Sequence, residues 1–177
     1  MLTAAPHTTQ RAAPTEMRVT PQVVHASFPA DTDAVRAILR EYAQSLGFEL
    51  CFQGFEQELA TLPGRYTPPT GRLLIIRGNP DLAGIIALRD LGSGSCEMKR
   101  LYVRPAHRGR DLGRLLTESL ISEARIAGYR SMKLDTVAQM ADAQRLYESM
   151  GFRDIPPYYD NPIKGARFME LSLQRPA

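Results

Sequence analysis

Between Cys96 and Leu116 the chain reads CEMKRLYVRPAHRGRDLGRLL: an extended segment, then a basic loop with glycines, then the opening of an apolar-periodic helix. A strand that enters a helix through a short loop leaves unpaired backbone N–H groups at the junction. It also places the positive end of the helix dipole there, and together these suit a phosphate or pyrophosphate. The surrounding charge agrees. The chain carries a net charge of only +3, yet nine Lys/Arg residues stand between Lys99 and Lys133 against the three acids Asp111, Glu118 and Glu123. A solvated basic face would give the same count. A nucleic-acid surface is the weaker reading, because no binding module or aromatic–basic interleaving accompanies the patch. A small polyanion at one loop explains the clustering more economically.

The remaining elements read in order along the chain. Val19 to Ser27 alternates as a first strand. Asp31 is placed to cap a helix running to about Leu46, with Val35, Ile38, Leu39 and Tyr42 on one stripe and Gly47 ending it. Phe52 to Leu62 reads as a shorter helix stopped by Pro63-Gly64, and Tyr66 to Gly71 as a loop. Arg72–Arg77 and Leu82–Leu91 are β-rich runs joined by the hairpin signal Gly78-Asn79-Pro80-Asp81, and Gly92 to Gly94 turns into the strand Cys96–Val103. A helix from Gly109 to Ala127 puts Leu112, Leu115, Leu116, Leu120 and Ala124 on one face, closed by Gly128. Then come a strand Ser131–Val137, a helix Met140–Met150 with Gly151 behind it, and a strand Phe152–Ile155. A Pro- and aromatic-rich connection Pro156–Gly165 leads to the last strand, Arg167–Leu173.

At 177 residues and 44% apolar content this is one domain with its own core, over 18–177, behind an Ala/Thr/Pro-rich lead-in at 1–17 expected to be disordered. The lead-in lacks the apolar stretch of a signal peptide, and no run is long enough to span a bilayer. Cys51 and Cys96 make neither a disulfide framework nor a Cys-x-x-Cys metal site, so a cytoplasmic setting without membrane attachment is expected. Cys51 reads as a small buried hydrophobe and His25 and His107 as surface histidines. No metal is expected, since no His-Glu-x-x-His or other ligand spacing is present.

The loop residues Arg108, Gly109, Leu112 and Gly113 resemble the cofactor signature Arg/Gln-x-x-Gly-x-Gly/Ala of the GNAT superfamily of N-acetyltransferases, with LYVRP before it and LYESMGF some thirty residues later. The resemblance covers Asp31 to Leu173 and implies the α/β GNAT fold, a central mixed sheet of six to seven strands flanked by about four helices. It implies an acetyl-CoA-dependent enzyme that moves an acetyl group to a small-molecule or peptide amine by direct transfer in a ternary complex, with no nucleic-acid or membrane partner. Monomer or homodimer stays open. Leu101, Tyr102 and Val103 would meet the pantetheine arm. Arg108, Gly109, Arg110, Asp111, Leu112, Gly113 and Arg114 would hold the phosphates. Tyr147 matches the family tyrosine near the coenzyme sulfur, as proton donor to the leaving thiolate. Glu97 stands where members with a strand-borne base carry Glu. A strand amide of Met98 or Leu101 would meet the developing negative charge on the carbonyl. Acceptor contacts are expected from Phe52, Phe55 and Glu56, and from Tyr158, Tyr159 and Asp160, with Glu58 as a further acid.

For Tyr147 the alternative is packing on Leu146 and Met150, and for Glu97 an exposed strand carboxylate paired with Lys99 or Arg100. Two departures from the family pattern stand out: Asp111 replaces a loop glycine, and Met140 replaces an Asn that contacts the cofactor in many members. Both keep a catalytically silent CoA-binding or sensory domain in play.

Overall fold

The computed structural model describes residues 20–47 and 54–174. The 1–17 lead-in, Cys51 and Phe52 lie outside the described residues. The elements run β1 (Val23–His25), α1 (Thr32–Ser45), α2 (Phe55–Ala60), β2 (Arg72–Arg77), β3 (Leu82–Gly92) and β4 (Ser95–Val103). They continue through α3 (Leu112–Ile126), β5 (Ser131–Thr136), α4 (Ala141–Ser149), β6 (Arg153–Ile155) and β7 (Arg167–Ser172). The strands form one mixed seven-stranded sheet in the order β1-β2-β3-β4-β5-β7-β6. Every neighbouring pair is antiparallel except β4 and β5. No described helix is long and apolar enough to cross a membrane.

Strand alternation sorts the apolar residues onto two faces. Leu74, Ile76, Ile86, Leu88, Cys96, Met98, Met132 and Leu134 pack beneath α3 and α4 with Leu116, Leu120 and Phe152. Leu73, Ile75, Ile85 and Ala87 pack beneath α1 and α2 with Val35, Ile38, Leu39, Phe55 and Leu59. The β2–β3 hairpin closes at the expected turn, where the Gly78 N–H donates to the Asp81 carbonyl.

Three expectations change in detail. The first strand is shorter than Val19–Ser27, pairing with β2 only over Val23–His25. Asp31 precedes α1 without a side-chain capping bond; its carboxylate accepts from the Ser27 N–H at 2.7 Å and pairs with Arg77 across 46 residues of sequence. The third helix starts at Leu112 rather than Gly109, because Gly109 (φ +74°) and Asp111 (φ +56°) both take left-handed backbone.

Two irregularities in β4 open the middle of the sheet. The strand pairs in parallel with β5 only over Ser95–Glu97, opposite Ser131–Lys133, and then the two strands part. On its other side a bulge at Arg100 (φ +60°) breaks the register with β3, so that Ala87 faces Lys99 while Ile85 faces Tyr102.

Candidate active site

From Met98 onward the β5-facing edge of β4 has no strand partner among the described residues, so its N–H and C=O groups border the gap between the two strands. A narrow throat of about 40 Å³ lies in that gap, lined by Met98, Lys99, Arg100, Leu101, Leu134, Asp135, Thr136 and Tyr147 among others. It leads to an open cleft of about 730 Å³ along the end of β4 and the starts of α3 and α4. Leu101, Tyr102, Val103, Arg108, Gly109, Asp111, Leu112, Gly113 and Arg114 all line this cleft, so the fold brings nearly the whole expected cofactor set to one surface. Arg110 is exposed. Arg108 is braced, its Nε–H donating to the Val103 carbonyl at 3.0 Å and its guanidinium lying over the Tyr102 ring. From α4 and the turn before it the cleft also receives Met140, Arg145 and Ser149, the last accepting from Arg114 at 2.9 Å.

Tyr147 reaches the throat from α4. Its ring packs against Phe152 at 5.8 Å, and burial pushes its phenol above the ordinary tyrosine value, so it stays protonated at neutral pH. On the β5 side of the throat Thr136, 2% exposed, carries a buried hydroxyl without a hydrogen-bond partner among the described residues. Leaving such a group unpaired costs about 1–3 kcal/mol.

The opposite face of β4 and β5 carries a network of buried charges. Glu97 is fully buried, with Arg89 Nε–H donating to it at 2.5 Å and the Tyr158 hydroxyl at 2.7 Å. It is thus neither exposed nor primarily paired with Lys99, whose ammonium lies 3.9 Å away and bonds Asp135 at 3.0 Å instead. Burial alone would raise the Asp135 carboxyl, but the attraction and hydrogen bond of Lys99 hold it below its ordinary value, so it stays ionised. Asn161 bridges Asp135 and the Tyr159 hydroxyl, which places the β6–β7 connection over the throat. Arg100 donates two hydrogen bonds to Glu58 of α2, at 2.9 and 2.8 Å, and lies over the ring of Phe55.

Of the expected acceptor residues, Phe55, Tyr158 and Tyr159 join this face, while Glu56 and Asp160 are exposed on the surface away from the throat. The sequence reading missed Lys99, Arg100 and Asp135 as wall residues, and Thr136 altogether. The signal for three of them was present as charged residues within the two strands, β4 and β5, that flank the throat.

A mixed sheet whose middle strands part beside a basic strand-to-helix loop defines the GNAT fold. Chains with that fold superpose well: an acetyltransferase of Staphylococcus aureus at TM-score 0.73, covering 88% of this chain and all of that one at 18% identity. The yncA acetyltransferase structure of Salmonella typhimurium, solved with its cofactor acetyl-CoA, matches at TM-score 0.67 and 25% identity over 90% of this chain and 97% of that one. An uncharacterized N-acetyltransferase of Schizosaccharomyces pombe is 42% identical over 149 residues, 83% of this chain and 91% of that protein. The sequence pattern of the acetyltransferase (GNAT) family matches residues 33–152, and the chain belongs to that family.

Proposed function

We propose that this protein is an N-acetyltransferase that moves an acetyl group from acetyl-CoA to an amine by direct transfer in a ternary complex. The observation that carries the reading is the parting of β4 from β5 after Glu97 with the protonated Tyr147 at the throat. The residues present fit the cosubstrate: an unpaired strand edge for the pantetheine amides, a cleft edged by Arg108, Arg114 and Arg145 for the phosphates, and an unpartnered hydroxyl on Thr136, which lines the throat. When bound, acetyl-CoA supplies the activated acyl group.

The chain's own groups then have separate tasks. Tyr147 hydrogen-bonds the departing sulfur and gives it a proton as the carbon–sulfur bond breaks. The unpaired β4 amides, from Met98 or Leu101, face the acyl carbonyl. A lysine-like amine has a pKa of roughly 10.4, so it arrives protonated and must lose that proton before its nitrogen can attack. Asp135, paired with Lys99, offers the amine a carboxylate at the throat. Glu97 is the base, reached through the Tyr158 hydroxyl that already donates to it.

The second reading, a silent CoA-binding domain, is favoured by Asp111 in the phosphate loop and Met140 in the cleft wall. One variant separates the two. Tyr147→Phe keeps the ring against Phe152 and removes the donor. In an assay of thiol release from acetyl-CoA over an amine panel, its kcat is expected to fall ~10²-fold with acetyl-CoA affinity unchanged. A parent protein that binds acetyl-CoA but releases thiol with no amine would establish the silent domain instead. A Phe variant as active as the parent would remove Tyr147 from the mechanism.

A further inference from the structure

Four of the described residues border both the throat and the open cleft: Tyr42, Leu46, Leu101 and Met140. A thioester whose coenzyme lies in the cleft and whose acyl group enters the throat has to cross that junction. Its carbonyl oxygen gains negative charge as an amine adds, so the junction is where hydrogen-bond donors count most. Leu101 brings a main-chain N–H on the part of β4 that has lost its β5 partner. The side chains of Leu46, Leu101 and Met140 carry no donor. Tyr42 is the one residue at the junction, among those described, whose side chain does.

Tyr42 is held firmly there. It stands in the last turn of α1, half-buried, with its ring edge-on to Tyr102 of β4 at 6.0 Å between centres. The Arg100 guanidinium lies 5.9 Å from the centre of the same ring. Arg100 is 3% exposed and fixed by its two hydrogen bonds to Glu58, so the cation stays beside the phenol. A guanidinium has donors and no acceptor. It can meet the phenol only through the oxygen lone pairs, which leaves the O–H to point elsewhere. Burial raises the Tyr42 pKa and Arg100 offsets part of that rise. The phenol therefore keeps its proton at neutral pH and donates more strongly than burial alone would leave it.

Tyr147 enters the throat from the other side. It belongs to the core beneath α3 and α4, whereas Tyr42 packs on the core beneath α1 and α2. The two are close enough that charge on the Tyr42 phenol would disfavour charge on that of Tyr147. A thioester carbon carries its oxygen and its sulfur in different directions. Two phenols approaching from opposite faces of the sheet match those two atoms.

We propose that the Tyr42 hydroxyl, together with a β4 amide, forms the pair of donors that holds the acyl carbonyl oxygen of acetyl-CoA at the junction of cleft and throat. The inference adds a catalytic residue to the acetyltransferase reading and rests on it. Tyr42 keeps its proton throughout. It hydrogen-bonds the oxygen while that oxygen takes up the carbonyl π pair, as the nitrogen–carbon bond forms, and returns it as the carbon–sulfur bond breaks. The sulfur receives its proton from Tyr147, and the amine loses its own to Glu97 through Tyr158.

The test is Tyr42→Phe, which removes the hydroxyl and leaves the ring against Tyr102. Its kcat in the thiol-release assay is expected to fall about 10²-fold, the lower range for loss of one such donor. Acetyl-CoA affinity by calorimetry should change little, because the bond strengthens only as charge develops. A second readout needs no turnover: the ¹³C resonance of acetyl-CoA labelled at the carbonyl carbon, recorded on the complex without amine. A hydrogen bond to the oxygen draws electrons from that carbon and moves the resonance downfield. The parent should show this shift, Tyr42→Phe should return it toward the free position, and Tyr147→Phe should alter it far less.

A fall in kcat with the carbonyl resonance unmoved would overturn the proposal and make Tyr42 a packing residue for Tyr102 and Arg100. A Phe variant with the parent's kcat would overturn it while the transferase stands. A downfield shift that Tyr42→Phe abolishes, in a parent that releases no thiol with any amine, would keep the donor and overturn the transferase. Acetyl-CoA that does not bind would overturn both.

Discussion

Thr136 holds a buried side-chain oxygen that lacks a partner among the described residues, and it lines the throat. A fold that leaves a hydroxyl unpaired in its interior sacrifices stability there unless a ligand supplies the missing bond. For Thr136 this makes a prediction with two opposed signs. Thr136→Val keeps the shape and removes the hydroxyl, so the ligand-free protein should become more stable by about 1 kcal/mol, or about 2–4 °C in melting temperature. Acetyl-CoA should bind about tenfold more weakly in the same variant. Thermal melts and titration calorimetry check both halves; a lower melting temperature with unchanged affinity would make the hydroxyl a structural one. At this scale the sequence was least legible. Glu97 could be placed on β4 but not paired with Arg89, because that contact depends on the register of two strands that a tight turn brings together. The Arg100–Glu58 pair spans 42 residues and the Asp31–Arg77 pair 46, and no local pattern announces either.

Elements were far easier to read than contacts. Gly128 and Gly151 each follow a helix with left-handed backbone, and the apolar runs of β2 and β3, buried on both faces, marked their extent. The splitting of β4 from β5 was not legible, since a bulge such as that at Arg100 leaves composition unchanged and alters only which face each later residue meets. The loop into α3 shows how local strain and ligand electrostatics combine. Asp111 sits at the helix start with φ +56° and ψ +18°, a conformation that costs a side-chain-bearing residue about 1 kcal/mol, and its carboxylate makes no capping bond. It also lines the cleft assigned to the phosphates. Asp111→Gly should therefore raise the melting temperature slightly and tighten acetyl-CoA binding several-fold, more so at low salt where the carboxylate repels most strongly. Higher stability with unchanged affinity would show that the residue acts on the backbone alone.

Across the whole molecule, the two cores lie on opposite faces of the sheet, and the sheet loses its strand pairing where β4 and β5 part. Tyr42 and Leu46, at the end of α1, border the cleft from one face, while Leu112 of α3 and Leu146 of α4 border it from the other. A ligand lying along the β4 edge thus ties together elements that the protein alone holds apart. Acetyl-CoA should accordingly stabilise the native state, by about 2.7 kcal/mol at a hundredfold excess over its dissociation constant if it binds no unfolded chain. For a chain of this size that amounts to a rise of about 5–10 °C in melting temperature. Because Arg108, Arg114 and Arg145 sit at the cleft's rim, the shift should shrink as salt is raised, and more for acetyl-CoA than for acetyl-pantetheine, which lacks the phosphates. Equal salt dependence for the two ligands would detach the basic loop from cofactor binding. A melting curve that does not move at millimolar acetyl-CoA would remove the cosubstrate, and with it the direct-transfer mechanism built on the parted strands.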